Sequence, residues 1–150
     1  MATNLSVTIN LKKDEPRGVT QRVMQRAIDL SAIELKGNLQ RNSPVDDGKM
    51  QGSWFISSAM PKFQSKVFSS AIYTPFVNYG TGIYGPRGRK IYPKTKKFLA
   101  FNYKGKKVVV PWIRGQKPRK FVEKSITQTE RRSDEFVIRA MLEFQGALSE

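Results

Sequence analysis

The feature that most constrains the fold is a long stretch of helical periodicity in the first third of the chain. Its core-facing side chains recur at spacings of three and four residues, which places them on one helical face. That face comprises Met24, Ile28, Ser31, Leu35 and Leu39, widened by Val23, Ala27 and Leu30. Asp14-Glu15-Pro16 supplies a capping acid and a first-turn proline, and Pro44 interrupts the helical conformation. The pattern predicts a helix from about Pro16 to about Arg41.

The other apolar runs are typical of strands joined by turns. Leu5 to Leu11 alternates apolar and polar residues, as a strand with one buried face does. Parallel strands need a crossover helix between them, so strands joined by turns predict antiparallel pairing. Four more strands are predicted, paired as two hairpins: Trp54–Met60 with Ser65–Tyr73, separated by Pro61, and Lys97–Asn102 with Lys107–Trp112, joined at Tyr103-Lys104-Gly105-Lys106.

Helical patterns return at the C-terminal end. Phe121, Val122, Ser125 and Ile126 indicate about one and a half turns. Ser133 is a candidate N-cap for a further helix through Phe144, which Gly146 would end or fray. The chain of 150 residues is therefore predicted to be one α+β domain. Its long N-terminal helix and its C-terminal helix would pack on a mostly antiparallel sheet of about five strands.

Positive charge is concentrated in one part of the chain. Between Gly85 and Lys124 there are fourteen Lys or Arg residues and one acid, a net charge of +13, against +15 for the whole chain. A surface of one sign attracts polyanions or acidic protein surfaces. The segment from Gly80 to about Thr95 also lacks periodicity, and loops of that length are usually functional or mobile.

Three interpretations of this basic segment remain open at the level of sequence. It could form a nucleic-acid surface, it could be a flexible arm that docks on an acidic protein neighbour, or it could be a solvated loop without a partner. The cations concerned are Arg87, Arg89, Lys90, Lys94, Lys96 and Lys97. Tyr84, Tyr92 and Tyr103 are expected to be free rings, whereas Phe98, Phe101 and Trp112 lie in predicted strands and are expected in the core.

Cys and His are both absent. Their absence excludes disulfides, thiolate and imidazole metal sites, and the Ser-His-Asp and Cys-His nucleophile systems. The adjacent acid pairs at 14–15, 46–47 and 134–135 stand where caps or turns favour an acid, so a catalytic dyad is not expected. We therefore expect no enzyme, cofactor or metal site. No apolar run approaches the ~18 residues of a membrane span, and the N-terminus has no signal pattern.

Three blocks of the sequence resemble the neck, or tail-completion, family of long-tailed bacteriophages. Ser43 to Trp54 is similar to the family's Pro-Val-Asp-Thr-Gly-x-Leu-x-x-Ser-Trp, with Asp47 in place of Thr. Tyr73 to Gly82 is similar to Tyr-Ala-x-x-Val-Glu-Tyr-Gly-Thr-Gly, with Asn78 in place of Glu. Gly115 to Phe121 is similar to Gly-Gln-x-x-x-Pro-Phe, with Lys120 in place of Pro.

The resemblance implies a structural virion protein without chemistry, made in the host cytoplasm and located at the neck between capsid and tail. Its implied partners are further copies in a ring of six, the head connector proteins, and the tail terminator or tail tube, with DNA passing through the channel. Residues of the blocks would then be structural: Pro44, Asp46, Gly48, Gly80, Gly82 and Gly115 for backbone shape, and Trp54, Tyr79 and Phe121 for packing or subunit contact.

Overall fold

The structure, a computed structural model, describes residues 4–10, 21–57 and 63–149. In these residues the elements are, in chain order, β1 (Ser6–Asn10), α1 (Gln21–Asn42), α2 (Lys49–Gly52), β2 (Trp54–Ser57), β3 (Gln64–Ser69), α3 (Thr74–Tyr79), a short 3₁₀ helix (Gly82–Tyr84), β4 (Leu99–Tyr103), β5 (Lys106–Val110), α4 (Phe121–Glu130) and α5 (Ser133–Leu148). The fold is α+β, as predicted. The chain forms two compact units: unit 1 is Met1–Ile72 with Phe121–Glu150, and unit 2 is Tyr73–Lys120.

Unit 1 contains an antiparallel sheet in the order β1-β3-β2. The central strand β3 alternates half-buried and buried positions, and its Val67 pairs with Val7 on one side and Ile56 on the other. Both predicted strand positions in the hairpin are confirmed, although the turn around Pro61 lies outside the described residues. β3 ends at Ser69, four residues before the predicted end at Tyr73.

Helix α1 is the element on which the rest of unit 1 packs. It contacts the three strands of this sheet and also α4 and α5. The predicted core face is confirmed at Ile28, Leu35 and Leu39, each of which is at most 2% exposed. The helix ends at Asn42, one residue beyond the predicted end, and its predicted start at Pro16 lies outside the described residues.

The two C-terminal helices differ in detail from the prediction. α4 is ten residues long rather than one and a half turns. Ser133 is the first residue of α5 rather than its N-cap; Arg132 holds the cap position and makes no side-chain cap bond. The helix also continues two residues past Gly146. An exposed glycine costs a helix only about 1 kcal/mol, so it does not by itself end one.

Unit 2 contains α3, the 3₁₀ helix and the two-stranded antiparallel sheet β4-β5. The β4-β5 hairpin was predicted, and its turn has positive φ at Lys104 (49°) and Gly105 (76°), as a type I′ turn requires. α3 was not predicted, because Thr74-Pro75 indicated a break; Pro75 instead occupies the first turn, where its missing N–H costs nothing. The five described strands thus form two sheets rather than one.

Candidate interaction surface

The first and third motif blocks meet in the core of unit 1. Trp54 is 1% exposed, and its indole N–H donates a hydrogen bond of 2.9 Å to the Ser43 hydroxyl. That hydroxyl donates in turn to the carbonyl of Leu39 at 2.6 Å. The Trp54 ring meets the Phe121 ring edge-on, with centroids 6.4 Å apart. Trp54 and Phe121 are therefore packing residues, as expected from the motifs.

The turn between these blocks is held by one acid. The carboxylate of Asp47 accepts a hydrogen bond from the backbone N–H of Lys49 at 3.2 Å and forms an ion pair with the Lys49 ammonium at 2.7 Å. These bonds to Lys49, the side-chain one first, lower the pKa of Asp47. Gly48 has a φ of 76°, which favours glycine. Asp46 is exposed and Pro44 is half-buried. The acid pair thus belongs to a turn, as predicted.

The second and third blocks meet inside unit 2 through their backbones. The N–H of Thr81 donates to the carbonyl of Gln116 at 2.9 Å, and the N–H of Gln116 donates to the Thr81 hydroxyl at 2.9 Å. Gly80, Gly82 and Gly115 all have positive φ at this crossing. A Cβ on Gly80 would lie 2.7 Å from the carbonyl oxygen of Gln116. The motif glycines are therefore required by close backbone approach.

Tyr79 and Asn78 are placed differently from each other. Tyr79 is 45% exposed, so it does not serve packing within its own unit and remains available for subunit contact. Asn78, at the position of the family's Glu, is fully buried, and its carbonyl accepts a hydrogen bond from the N–H of Lys120 at 3.1 Å.

Unit 2 carries the charge. It contains thirteen Lys or Arg residues and no Asp or Glu, so all twelve acids of the chain belong to unit 1. The six candidate cations between Arg87 and Lys97 are all exposed. In the part of the chain that the structure describes, none of these six forms an ion pair with a carboxylate.

The basic segment is tied to its own unit at its centre. Ile91 and Ile113 exchange two backbone hydrogen bonds of 2.9 and 3.0 Å, and the Lys90 ammonium lies 3.6 Å from the centre of the Trp112 ring. Gly85 packs closely on Gly80 and Thr81. The segment is therefore a set of anchored turns with charged side chains projecting from it, which differs from an extended arm.

The aromatic side chains are more exposed than the sequence suggested. Phe98 is 54% and Phe101 39% exposed, so their predicted core placement is wrong. The reason is that their sheet has only two strands, which leave little room for a covered face. Tyr92 and Tyr103 are both 60% exposed, as predicted, while Tyr84 and Trp112 are half-buried. The lysines that flank both strands were the sequence signal for an exposed ribbon.

This arrangement can bind an anionic or acidic partner through cations and exposed rings on one unit. Among the described residues, no group of three or more acids could hold a metal ion, and no helix is long and apolar enough to cross a membrane. Comparison with protein-family models, with curated proteins and with solved structures finds no match. The resemblance to the phage neck family therefore rests on the three sequence blocks alone.

Proposed function

We propose that this protein is a structural virion component at the head-tail joint of a tailed phage. It assembles as a ring, linking head connector proteins to the tail tube or tail terminator while DNA passes through the channel. The observation that carries the proposal is that all three motif blocks serve packing: two meet at Trp54 and Phe121, and two meet at the glycine crossing. Residues that hold a scaffold together suit a protein whose task is assembly.

The cations of unit 2 are the part of the scaffold available for partners. We infer that they meet acidic surfaces of neighbouring rings, with contact to DNA secondary. Neutralising even six phosphates per subunit would give a salt slope of about five in log affinity, and a grip of that strength would oppose ejection of the genome. Acidic protein surfaces provide complementarity and orientation without that difficulty.

The test is to change Arg87, Arg89, Lys90, Lys94, Lys96 and Lys97 together to Ser. Exposed charges contribute little to stability, so the variant should fold. It should fail to join tails to filled heads in an in vitro joining assay. Normal joining by the folded variant would reject the role assigned to these cations.

A matched pair of triple variants separates position from net charge. Arg87→Ser, Arg89→Ser and Lys94→Ser remove two arginines and one lysine from unit 2. Arg22→Ser, Arg131→Ser and Lys124→Ser remove the same types from exposed positions of unit 1. We expect the first variant to join poorly and the second to join normally; equal defects would mean that only total charge matters.

A free-standing nucleic-acid-binding protein is the second candidate. It is favoured by the absence of any acid from unit 2 together with the exposed rings of Tyr92 and Tyr103. It predicts a monomer that binds DNA or RNA with strong salt dependence. The head-tail proposal predicts rings, or assembly that depends on tail tubes, and only weak binding of nucleic acid. The mass of the purified protein, alone and with tail tubes, distinguishes them.

A further inference from the structure

The β4-β5 hairpin leaves apolar side chains without cover. Tyr103 and Val109 are 60% and 55% exposed, and Phe101, which pairs across the strands with Val108, is 39% exposed. A two-stranded hairpin is marginally stable on its own, and contiguous exposed apolar surface marks interaction sites. The hairpin surface, defined as residues 98–110, also carries Lys104, Lys106 and Lys107 and contains no acid.

A second uncovered apolar surface lies in unit 1, on the outer face of α5. Phe136 and Ala140 point into the core, and the opposite side of the helix is apolar. This outer face comprises Ile138, Met141, Leu142 and Leu148, which are 58%, 43%, 62% and 73% exposed. Asp134 lies one turn before Ile138, and α5 as a whole has three acids and one base. The face is therefore apolar with an acidic N-terminal end.

These two surfaces are complementary in the two properties that matter for association. Pairing two hairpins would bring lysines together, and pairing two α5 helices would leave each hairpin uncovered. Placing a hairpin on α5 covers both apolar surfaces and brings lysines near Asp134 and Glu135, which favours encounter and orientation.

We propose that the hairpin surface of one copy docks on the outer face of α5 of a second copy. The contact is head-to-tail, because it joins two different surfaces, and repeated head-to-tail contacts close into a ring when the rotation allows. The inference rests on the proposed ring and names the surfaces that build it.

The experiment uses two variants of the full chain, each with one surface removed. The hairpin variant is Lys106→Glu with Lys107→Glu. The α5 variant is Ile138→Gln with Leu142→Gln, in which glutamine preserves helix propensity. Both sets of positions are exposed, so folding should persist, as circular dichroism will verify. Ile33→Gln, at a 56% exposed position of α1, is the matched control.

Sedimentation velocity should show concentration-dependent oligomers for wild type and for the control. Each surface variant alone should associate at least about 30-fold more weakly, the effect of one strong interface residue. An equimolar mixture of the two variants should form heterodimers and nothing larger, because each partner retains one intact surface.

Four outcomes would overturn the inference: wild type remains monomeric at all concentrations, either variant associates as wild type does, the mixture stays monomeric, or the hairpin variant loses only binding to a 20-nucleotide DNA. The head-tail joining assay is scored separately. Variants that associate normally while the six-serine variant fails to join tails would reject this interface and leave the proposed function standing.

Discussion

Gly82 and Gly115 lie where two backbone segments of unit 2 cross. A Cβ on Gly82 would overlap the carbonyl of Arg114, and one on Gly115 would overlap the carbonyl of Thr81. Both have positive φ, 64° and 94°, which costs other residues about 1 kcal/mol or more. Gly82→Ala should therefore lower the free energy of unfolding by about 3 kcal/mol or more, since the backbone must also separate. Urea denaturation measures the loss.

Gly88 provides the matched control for that prediction. Its φ of 59° is similar, but a Cβ there would have no atom within 4 Å. Gly88→Ala carries only the conformational cost, so we expect a loss of about 1 kcal/mol. Equal losses at the two positions would show that conformation, and not the crossing, requires the motif glycine.

A buried polar contact joins α1 to α4. The amide of Asn38, which is 5% exposed, donates to the Thr129 hydroxyl at 2.9 Å, and that hydroxyl donates to the Ser125 carbonyl at 2.9 Å. Asn38→Ala should cost about 2 kcal/mol through the lost bond and the small cavity. A double-mutant cycle with Thr129→Val should give a coupling energy of about 1 kcal/mol.

Thr127 is the control on the same helix. Its hydroxyl also donates to the carbonyl four residues before it, that of Glu123, but the residue is exposed. The cycle of Asn38→Ala with Thr127→Val should therefore be additive. Coupling of similar size in both cycles would contradict a direct contact between α1 and α4 at Asn38.

An ion pair joins α1 to α5 at the surface. The guanidinium of Arg26 donates to the Glu143 carboxylate at 2.7 Å, and this bond is the main cause that lowers the pKa of Glu143. Arg26→Met should raise that pKa toward its ordinary value, as a carboxyl titration by NMR would measure. Arg139→Met should raise it less, because Arg139 lies at 3.4 Å and contributes less. The opposite ranking would contradict the geometry.

The same ion pair fixes the sign of a pH effect on stability. Because the pKa of Glu143 is lower in the folded state, its contribution is complete above the unfolded pKa and disappears as the pH falls through the folded pKa. Both side chains are largely exposed, so the effect should be small compared with the Asn38 contact.

Elements set by local pattern could be predicted from the sequence, and elements set by distant contacts could not. The period of α1 and the Lys104-Gly105 turn depend on neighbouring residues, and both are confirmed. The separation of the strands into two sheets depends on which strand finds which partner, and no local pattern encodes that choice. The exposure of Phe101 follows from this separation, and so does the error about it. The exposed cations were predictable because nothing in the sequence offered them a nearby acid.

For the whole molecule, the uneven charge makes the two units respond differently to salt. Unit 2 holds thirteen cations and no acid, so its folded form concentrates like charges, whereas unit 1 has fourteen cations and twelve acids. Self-repulsion of this kind destabilises a compact state and is screened as the Debye length decreases, from about 30 Å at 0.01 M to about 3 Å at 1 M salt. Salt should therefore stabilise unit 2 more than unit 1.

One tryptophan in each unit allows the two responses to be measured in the same sample. The indole N–H of Trp54 reports unit 1 and that of Trp112 reports unit 2, so NMR spectra recorded during thermal unfolding follow both. Between 0.02 and 0.5 M NaCl we expect the midpoint at Trp112 to rise by about 5 °C, which is close to 1 kcal/mol for a small unit, and the midpoint at Trp54 to move less. The variant with six cations changed to Ser should lose about half of the shift at Trp112, because it removes six of the thirteen charges. Equal shifts at both tryptophans, or an unchanged shift in the variant, would show that repulsion within unit 2 does not limit its stability. The reason for its charge would then have to be sought in its partners alone.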